Sequence, residues 1–255
     1  MKIATWNVNS LRVRLPQLLE WLNAQQPDVV GLQETKLENS GFPAAQIEAA
    51  GWHWVHNGQK TYNGVALLSR QPLAEVSCDL PGLEDPQKRV IAATVGGVRV
   101  VNVYVPNGQA VASEKYEYKL RWLVALRDYL GTELARHRQL AVTGDYNIAP
   151  GDEDVHDPAA WAGQVLCSEP ERQALRSVMD LGLRDCFRLF PQPPASFTWW
   201  DYRQAAFRRN LGLRIDHVLA SAELAGHCTT CVIDRAARSV ERPSDHAPLV
   251  AAFGT

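Results

Sequence analysis

The sequence predicts a layered α/β fold: one domain spanning 1–255, built from two sheets with helices outside. Three observations carry this. Short apolar, β-branched runs recur along the whole chain, and amphipathic helical stretches fall between some of them. Two of the runs, inside VIAATVGGVRVVNVYV, are joined by Gly96–Gly97, a hairpin-turn signal. Their continuous β-branched character suits strands covered on both faces. Predicted strands occupy 3–8, 29–33, 64–69, 90–95, 98–105, 139–143, 214–219 and 248–253. A helix is predicted over 15–24, with Pro16 at its start and Leu15, Leu18, Leu19 and Leu22 on one face. A longer one covers 113–136, carrying Leu120, Leu123, Val124, Leu130 and Leu134, with Gly131 as a possible early end. A third starts at Ser168, whose spacing to Glu171 offers a capping box, and stops near Gly182.

Composition narrows the functional classes. No apolar run approaches the ~18 residues of a membrane span. The opening MKIATWNVNS is too short and polar for a signal peptide, so a cytoplasmic protein without membrane contact is expected. The five cysteines are odd in number and irregular in spacing, which argues against a disulfide framework. Cys228 and Cys231, preceded by His227, form a lone C-x-x-C. With no second ligand pair at zinc spacing, they read as structural thiols. A net charge of −2 excludes a protein that binds polyanions with its whole surface, so any nucleic-acid contact needs a local basic patch.

Such a patch exists in WDYRQAAFRRNLGLR. It sets Arg203, Arg208, Arg209 and Arg214 against the single acid Asp201, with Trp199, Trp200, Tyr202 and Phe207 interleaved. Arginines with aromatics suit a loop that enters a minor groove and wedges a distorted backbone. Arg12, Lys36, Lys60, Tyr62 and Arg89 are further candidates for phosphate contact.

The stretch VTGDYNIAP (142–150) poses the chemical question. A buried strand running to its end would project Asp145 and Asn147 from one face. An Asx turn closed by Pro150 and Gly151 would account for them alone. Other strand ends carry similar groups, however: Asn7 and Asn9; Gln33, Glu34 and Lys36; Tyr104 and Asn107; Asp216; and Ser244, Asp245 and His246. A cleft lined by strand ends is where layered α/β folds bind ligands. Glu34, Asp145, Asp216 and Asp245 are hard oxygen donors without a thiolate or histidine cluster, which selects Mg²⁺ or Mn²⁺ over zinc. Asn7, Asn107, Asn147 and Tyr104 can donate to phosphate oxygens, and His246 can be held by a carboxylate. The inventory is that of phosphoester hydrolysis. A serine hydrolase is excluded, since adjacent Ser-Asp-His residues in an extended chain face opposite ways and no G-x-S-x-G elbow is present.

TWNVNSLRVR, LQETK, YNGVALLSR, NVYVPNG, GDYNIAP, FTWWDYR, GLRIDHVL and RPSDHAPL run in order from residue 4 to residue 249. The series resembles the exonuclease III family of AP endonucleases, within the endonuclease/exonuclease/phosphatase superfamily of DNase-I-like fold. The resemblance implies a four-layer α/β sandwich, two packed mixed β-sheets flanked by helices. It implies Glu34 as main metal ligand with Asn7 nearby, and Asp245 as metal ligand or support. It gives Asp145 and Asn147 the attacking water, Tyr104 and Asn107 phosphate contacts, and Asp216 with His246 a carboxylate–histidine pair. Trp199, Leu213 and Ile215 match positions lining an apolar pocket for a flipped, baseless sugar. Tyr146 should face away from Asp145 and Asn147 into the core, its hydroxyl needing a partner. The implied activity is Mg²⁺- or Mn²⁺-dependent hydrolysis of duplex DNA 5′ to abasic sites, leaving a 3′-hydroxyl. Removal of 3′-phosphates or nucleotides by the same centre is a further expectation, and a monomer is expected. Two alternatives remain: a superfamily phosphatase acting on a small phosphoester, and a non-catalytic nucleic-acid-binding regulator of the same fold.

Overall fold

The computed structural model describes residues 1–254. Two six-stranded sheets face each other. The first runs in the order β13-β14-β1-β2-β4-β3, from β1 (Lys2–Asn7), β2 (Val29–Gln33), β3 (His53–Asn57), β4 (Val65–Ser69), β13 (Cys228–Ile233) and β14 (Leu249–Phe253). The second runs β5-β6-β7-β8-β12-β9, from β5 (Ala74–Cys78), β6 (Val90–Val95), β7 (Val98–Tyr104), β8 (Leu140–Asp145), β9 (Leu183–Asp185) and β12 (Asp216–Ser221). Each sheet is mixed, with one parallel pair, β1–β2 in the first and β7–β8 in the second. A ribbon of β10 (Trp199–Trp200) and β11 (Gly212–Leu213) stands at one end. The helices are α1 (Leu11–Gln25), α2 (Ala44–Ala49), α3 (Glu114–Arg136), α4 (Pro158–Trp161), α5 (Glu169–Met179), α6 (Ala206–Arg209) and α7 (Ala222–Ala225).

Strand alternation produces the four layers. Along β1, β2 and β4, Ile3, Val29, Val65 and Leu67 point between the sheets, where they meet Ile91, Val100, Ala141 and Val218. Their neighbours Ala4, Trp6, Val30, Leu32, Ala66 and Leu68 point outward against Leu11, Leu18, Trp21 and Leu22 of α1. In the second sheet Val101, Val103, Val142 and Leu219 point outward under Trp122, Leu126 and Leu130 of α3 and Leu175 and Val178 of α5. The period of two thus feeds three apolar layers from two sheets. Gly31 marks a close approach between sheets, because a Cβ there would lie 2.5 Å from both Asn102 Oδ1 and Thr143 Oγ1. Asn102 crosses the gap, donating through Nδ2 to Leu32 O (2.8 Å) and Ala66 O (3.0 Å). Gln33 Nε2 donates to Asn102 Oδ1 (2.6 Å) and Thr5 Oγ1 (2.9 Å).

Several expectations need correction. The helix predicted over 15–24 begins at Leu11, and Pro16 lies inside it rather than at its start. Positive φ at Asn9 and Ser10 turns the chain out of β1, and Leu11 N–H anchors on Thr35 O, so the helix starts where the chain is held. Gly131 does not end α3, whose covered face is Tyr116, Lys119, Trp122, Leu123, Leu126, Tyr129, Leu130 and Glu133. Val124 is exposed and Leu120 and Leu134 only half-buried, because the helix is rotated to present Trp122 and Leu126 to the sheet. The strand predicted at 214–219 starts at Asp216, since Arg214 is drawn into ion pairs with Asp154 and Asp185. The capping box of Ser168 and Glu171 is present. Strands β3, β5, β9 and β13 and the two-residue strands β10 and β11 were not foreseen. All five cysteines are free thiols, and Cys231 of β13 packs between the sheets. Among the described residues no helix is long and apolar enough to cross a membrane.

Candidate active site

Strand register assembles the site. In the β7–β8 pair Tyr104 lies opposite Asp145, and in the β8–β12 pair Asp145 lies opposite Asp216. In the other sheet Asn7 at the end of β1 lies opposite Gln33 at the end of β2, one residue before Glu34. All these ends open to the same edge. Gly144 makes the approach possible, because a Cβ there would sit 2.1 Å from Val103 O. Asn9, Glu34, Lys36 and Asn147 all carry positive φ (42°, 52°, 55° and 50°). Such backbone costs about 1–3 kcal/mol per residue and gathers where a site needs it.

Asn7 Nδ2 bridges the two carboxylates, donating to Glu34 Oε1 (2.8 Å) and Asp145 Oδ2 (2.9 Å). Its Oδ1 accepts from Asn9 N–H (2.9 Å), so as placed Asn7 aligns the carboxylates. Asp145 Oδ1 accepts from Asn147 N–H (2.9 Å). Asn147 Nδ2 donates to Val105 O (3.0 Å), and Asn107 Nδ2 donates to Asn147 Oδ1 (3.1 Å). Ser244 Oγ ties the last loop to Asn7 O (2.7 Å). The next two side chains face opposite ways. Asp245 accepts from Asn9 Nδ2 (2.9 Å) and Trp199 Nε1 (3.0 Å), while His246 turns inward to Asp216.

The electrostatics assign protons. Burial pulls the His246 imidazole down, but Asp216, 2.8 Å from its Nδ1, and Asp145, 3.8 Å from its Nε2, outweigh it and push His246 up to about 10. Burial pushes the Asp145 carboxyl up to about 7, with Asp216 adding to the rise and His246 opposing it. Burial, then the Glu34 and Asp145 charges, keep the Tyr104 hydroxyl protonated well above its usual range, a fixed donor. Burial would raise Asp245, but His246, Asn9 and Trp199 hold it below the usual carboxylate range.

One ligand atom each from Glu34, Asp145 and His246 lies within 4.8 Å of the others. An imidazolium has no lone pair to offer, so the carboxylate oxygens of Glu34 and Asp145 are the fitting donors for a hard cation. Asp216, behind the imidazole, has its Oδ1 buried without a partner among the described residues. The donor set fits a divalent cation.

The surrounding candidates fall into two groups. Lys36 is drawn into the centre, pairing with Glu34 Oε2 (2.9 Å) and donating to Asn9 Oδ1. Arg89 stacks on the Tyr104 ring and donates to Tyr104 O (3.1 Å). Arg12, Lys60, Tyr62, Asn107, Arg203, Arg208 and Arg209 are exposed. Trp199, Leu213 and Ile215 do come together, in a cluster with Ala149, Val155, Leu166 and Cys167. Leu213 and Ile215 are fully covered there and only Trp199 is half-exposed. Of the loop aromatics, Trp200 is core, with Phe207 edge-on to it, and Tyr202 is exposed. Arg214 is no surface cation, being fully buried between Asp154 and Asp185. Tyr146 faces the core, edge-on to His217, but its hydroxyl has no partner among the described residues.

Sequence reasoning missed Arg14. It donates to Asn9 O (2.6 Å), Tyr202 Oη (3.0 Å) and Pro243 O (2.9 Å), strapping three loops at the rim. Nothing in TWNVNSLRVR distinguishes it from its neighbour Arg12. Lys119 was also missed, although its place on the apolar stripe of α3 was a legible signal.

A model of the endonuclease/exonuclease/phosphatase family matches residues 4–246. The chain is 39% identical to exodeoxyribonuclease III of Haemophilus influenzae, over 99% of this chain and 100% of that one. It is 32% identical to DNA repair nuclease APEX1 of Danio rerio, over 98% and 81% respectively. In structure it is similar to the 3′ phosphatase NExo from Neisseria bound to a product DNA hairpin, with 50% identity, TM-score 0.99 and all of both chains covered. It is also similar to an AP endonuclease from Archaeoglobus fulgidus, with 40% identity, TM-score 0.96 and the same coverage.

Proposed function

The chain belongs to the endonuclease/exonuclease/phosphatase family and is a metal-dependent DNA-repair nuclease, and from that premise we propose that it hydrolyses duplex DNA 5′ to abasic sites, leaving a 3′-hydroxyl. The observation that carries this reading is the convergence of Glu34, Asp145 and His246 at one strand-end edge, with Asp216 behind the imidazole. Glu34 and Asp145 would hold Mg²⁺ or Mn²⁺, which when bound would supply Lewis-acid stabilisation of charge on the phosphate. Asp145, its Oδ1 held by the Asn147 N–H, receives the proton of a water that Asn147 orients. His246, kept charged by Asp216, donates Nε2–H to a phosphoryl oxygen, and Tyr104 and Asn107 donate to the others. Asp245 positions Asn9 and Trp199. The exposed Arg203, Arg208 and Arg209 with Tyr202 hold the duplex backbone.

A second activity, removal of 3′-phosphates, is favoured by a specific observation. Leu213 and Ile215 are packed against Leu166 and Cys167, and a terminal 3′-phosphate would need no extruded sugar to enter that wall. Product analysis separates the activities. A synthetic abasic duplex and a nicked duplex ending in 3′-phosphate are incubated with the protein, with Mg²⁺ and with chelator. Cleavage of the first to a 3′-hydroxyl, abolished by chelator, is expected. Release of phosphate from the second alone would confine the activity to 3′ ends, and inertness toward both would overturn the reading.

A further inference from the structure

Lys119 sits on the covered face of α3, one turn after Tyr116, and is completely buried. Lysine normally carries its ammonium to water, and a buried one persists only when fully paired. Here all three N–H bonds have acceptors: Asn147 O (2.7 Å), Asn107 O (3.1 Å) and a Glu171 carboxylate oxygen. Glu171 is itself fixed, accepting from Leu166 N–H (3.0 Å) and from the Ser168 N–H (3.2 Å) and hydroxyl at the start of α5. Apolar residues of similar volume often serve stability as well as a buried, fully bonded ion pair does. Two of the three Lys119 bonds instead reach the main chain of the two amides placed at the phosphate.

Those amides belong to different loops, one between β7 and α3 and one after β8. Asn147 has left-handed backbone (φ 50°), and its N–H and side chain are directed to Asp145 and Val105. Its carbonyl is the group left for another element to hold, and Lys119 holds it together with that of Asn107. We infer that Lys119 is a positioning residue for hydrolysis: its ammonium clamps the two loops so that Asn107, Asn147 and the Asp145 carboxylate meet phosphate and water in one register. The inference rests on the phosphodiesterase reading above.

The test compares wild type with Lys119→Met and with the double variant Lys119→Met/Glu171→Gln, which removes both buried charges and keeps the α5 cap. Thermal midpoints, duplex affinity with Ca²⁺ in place of Mg²⁺, and single-turnover rates on the abasic and 3′-phosphate duplexes are measured. An active-site group displaced by about 1 Å costs on the order of 100-fold in rate. The expected result is a rate lowered to that extent in both variants, with affinity within about threefold of wild type and the thermal midpoint largely regained in the double variant. A rate that recovers in step with the midpoint, or that never falls, overturns the inference while leaving the functional reading intact. A wild type that leaves both duplexes uncut overturns the functional reading itself.

Discussion

His56 offers a perturbation whose size follows from the structure. It lies on β3, its Nε2 2.9 Å from Thr35 Oγ1, its ring 4.7 Å from that of Phe42, and its Nδ1 without a partner among the described residues. Burial pulls its pKa from 6.5 down to about 4. Because the folded value is the lower one, the unfolded chain takes up the proton first as pH falls. The stabilisation is therefore complete above 6.5 and is lost as pH drops toward 4. That gap corresponds to about 3 kcal/mol, a large fraction of the stability of an ordinary domain. The loss reaches function as well, since Thr35 N–H and O fix the turn bearing Glu34 through Gly64 and Leu11. Urea unfolding of wild type and His56→Gln from pH 7.5 to pH 4 isolates the contribution. The wild-type advantage should shrink by about 3 kcal/mol across that range. A difference constant to within about 0.5 kcal/mol would show that His56 is not buried neutral, and the argument for this turn would fail.

Three further outcomes follow from the site. Asp145→Asn should lower turnover by two or more orders of magnitude while abasic duplex is still bound, as checked by single-turnover rates beside fluorescence anisotropy. Glu34→Gln should weaken cation use so that Mg²⁺-supported activity falls and excess Mn²⁺ restores part of it; an unchanged metal titration would remove Glu34 as a ligand. Gly144→Ala should destabilise by about 3 kcal/mol or more in urea unfolding, because the added methyl meets Val103 O, and a near-neutral result would mean the β7–β8 pair has slack there.

The parts legible in the sequence are those with local signatures. Short apolar, β-branched runs and the Gly96–Gly97 turn marked most of the strands, and the Ser168–Glu171 spacing marked the start of α5. Strand-end polar residues foretold the edge where Asn7, Asp145 and Asp216 meet, because alternation fixes which way a strand-end side chain points, whereas Glu34 is aimed there by its left-handed backbone beyond β2. What was not legible depends on long-range pairing. Strand β5, AEVSC, is an exposed edge, and nothing in its composition marks it before β6 supplies the partner. Arg214 sits in a run of basic residues and looks like a surface cation until Asp154 and Asp185 close around it from 60 and 29 residues away. The covered face of α3 carries Lys119 and Glu133, whose charges are met by Glu171 and Arg99 from distant elements, while Val124, apolar, points to water.

The central claim is that Glu34 and Asp145, more than a hundred residues apart in the chain, share one divalent cation beside the phosphorus that is attacked. Crystals grown with Mn²⁺ and a product duplex, measured at a wavelength where manganese scatters anomalously, test it directly. The expected result is an anomalous peak about 2.1 Å from a Glu34 oxygen and within coordination reach of Asp145, with the terminal phosphate or 3′-hydroxyl beside His246. Manganese bound elsewhere with those carboxylates bare, or a DNA end lodged away from His246, would contradict it.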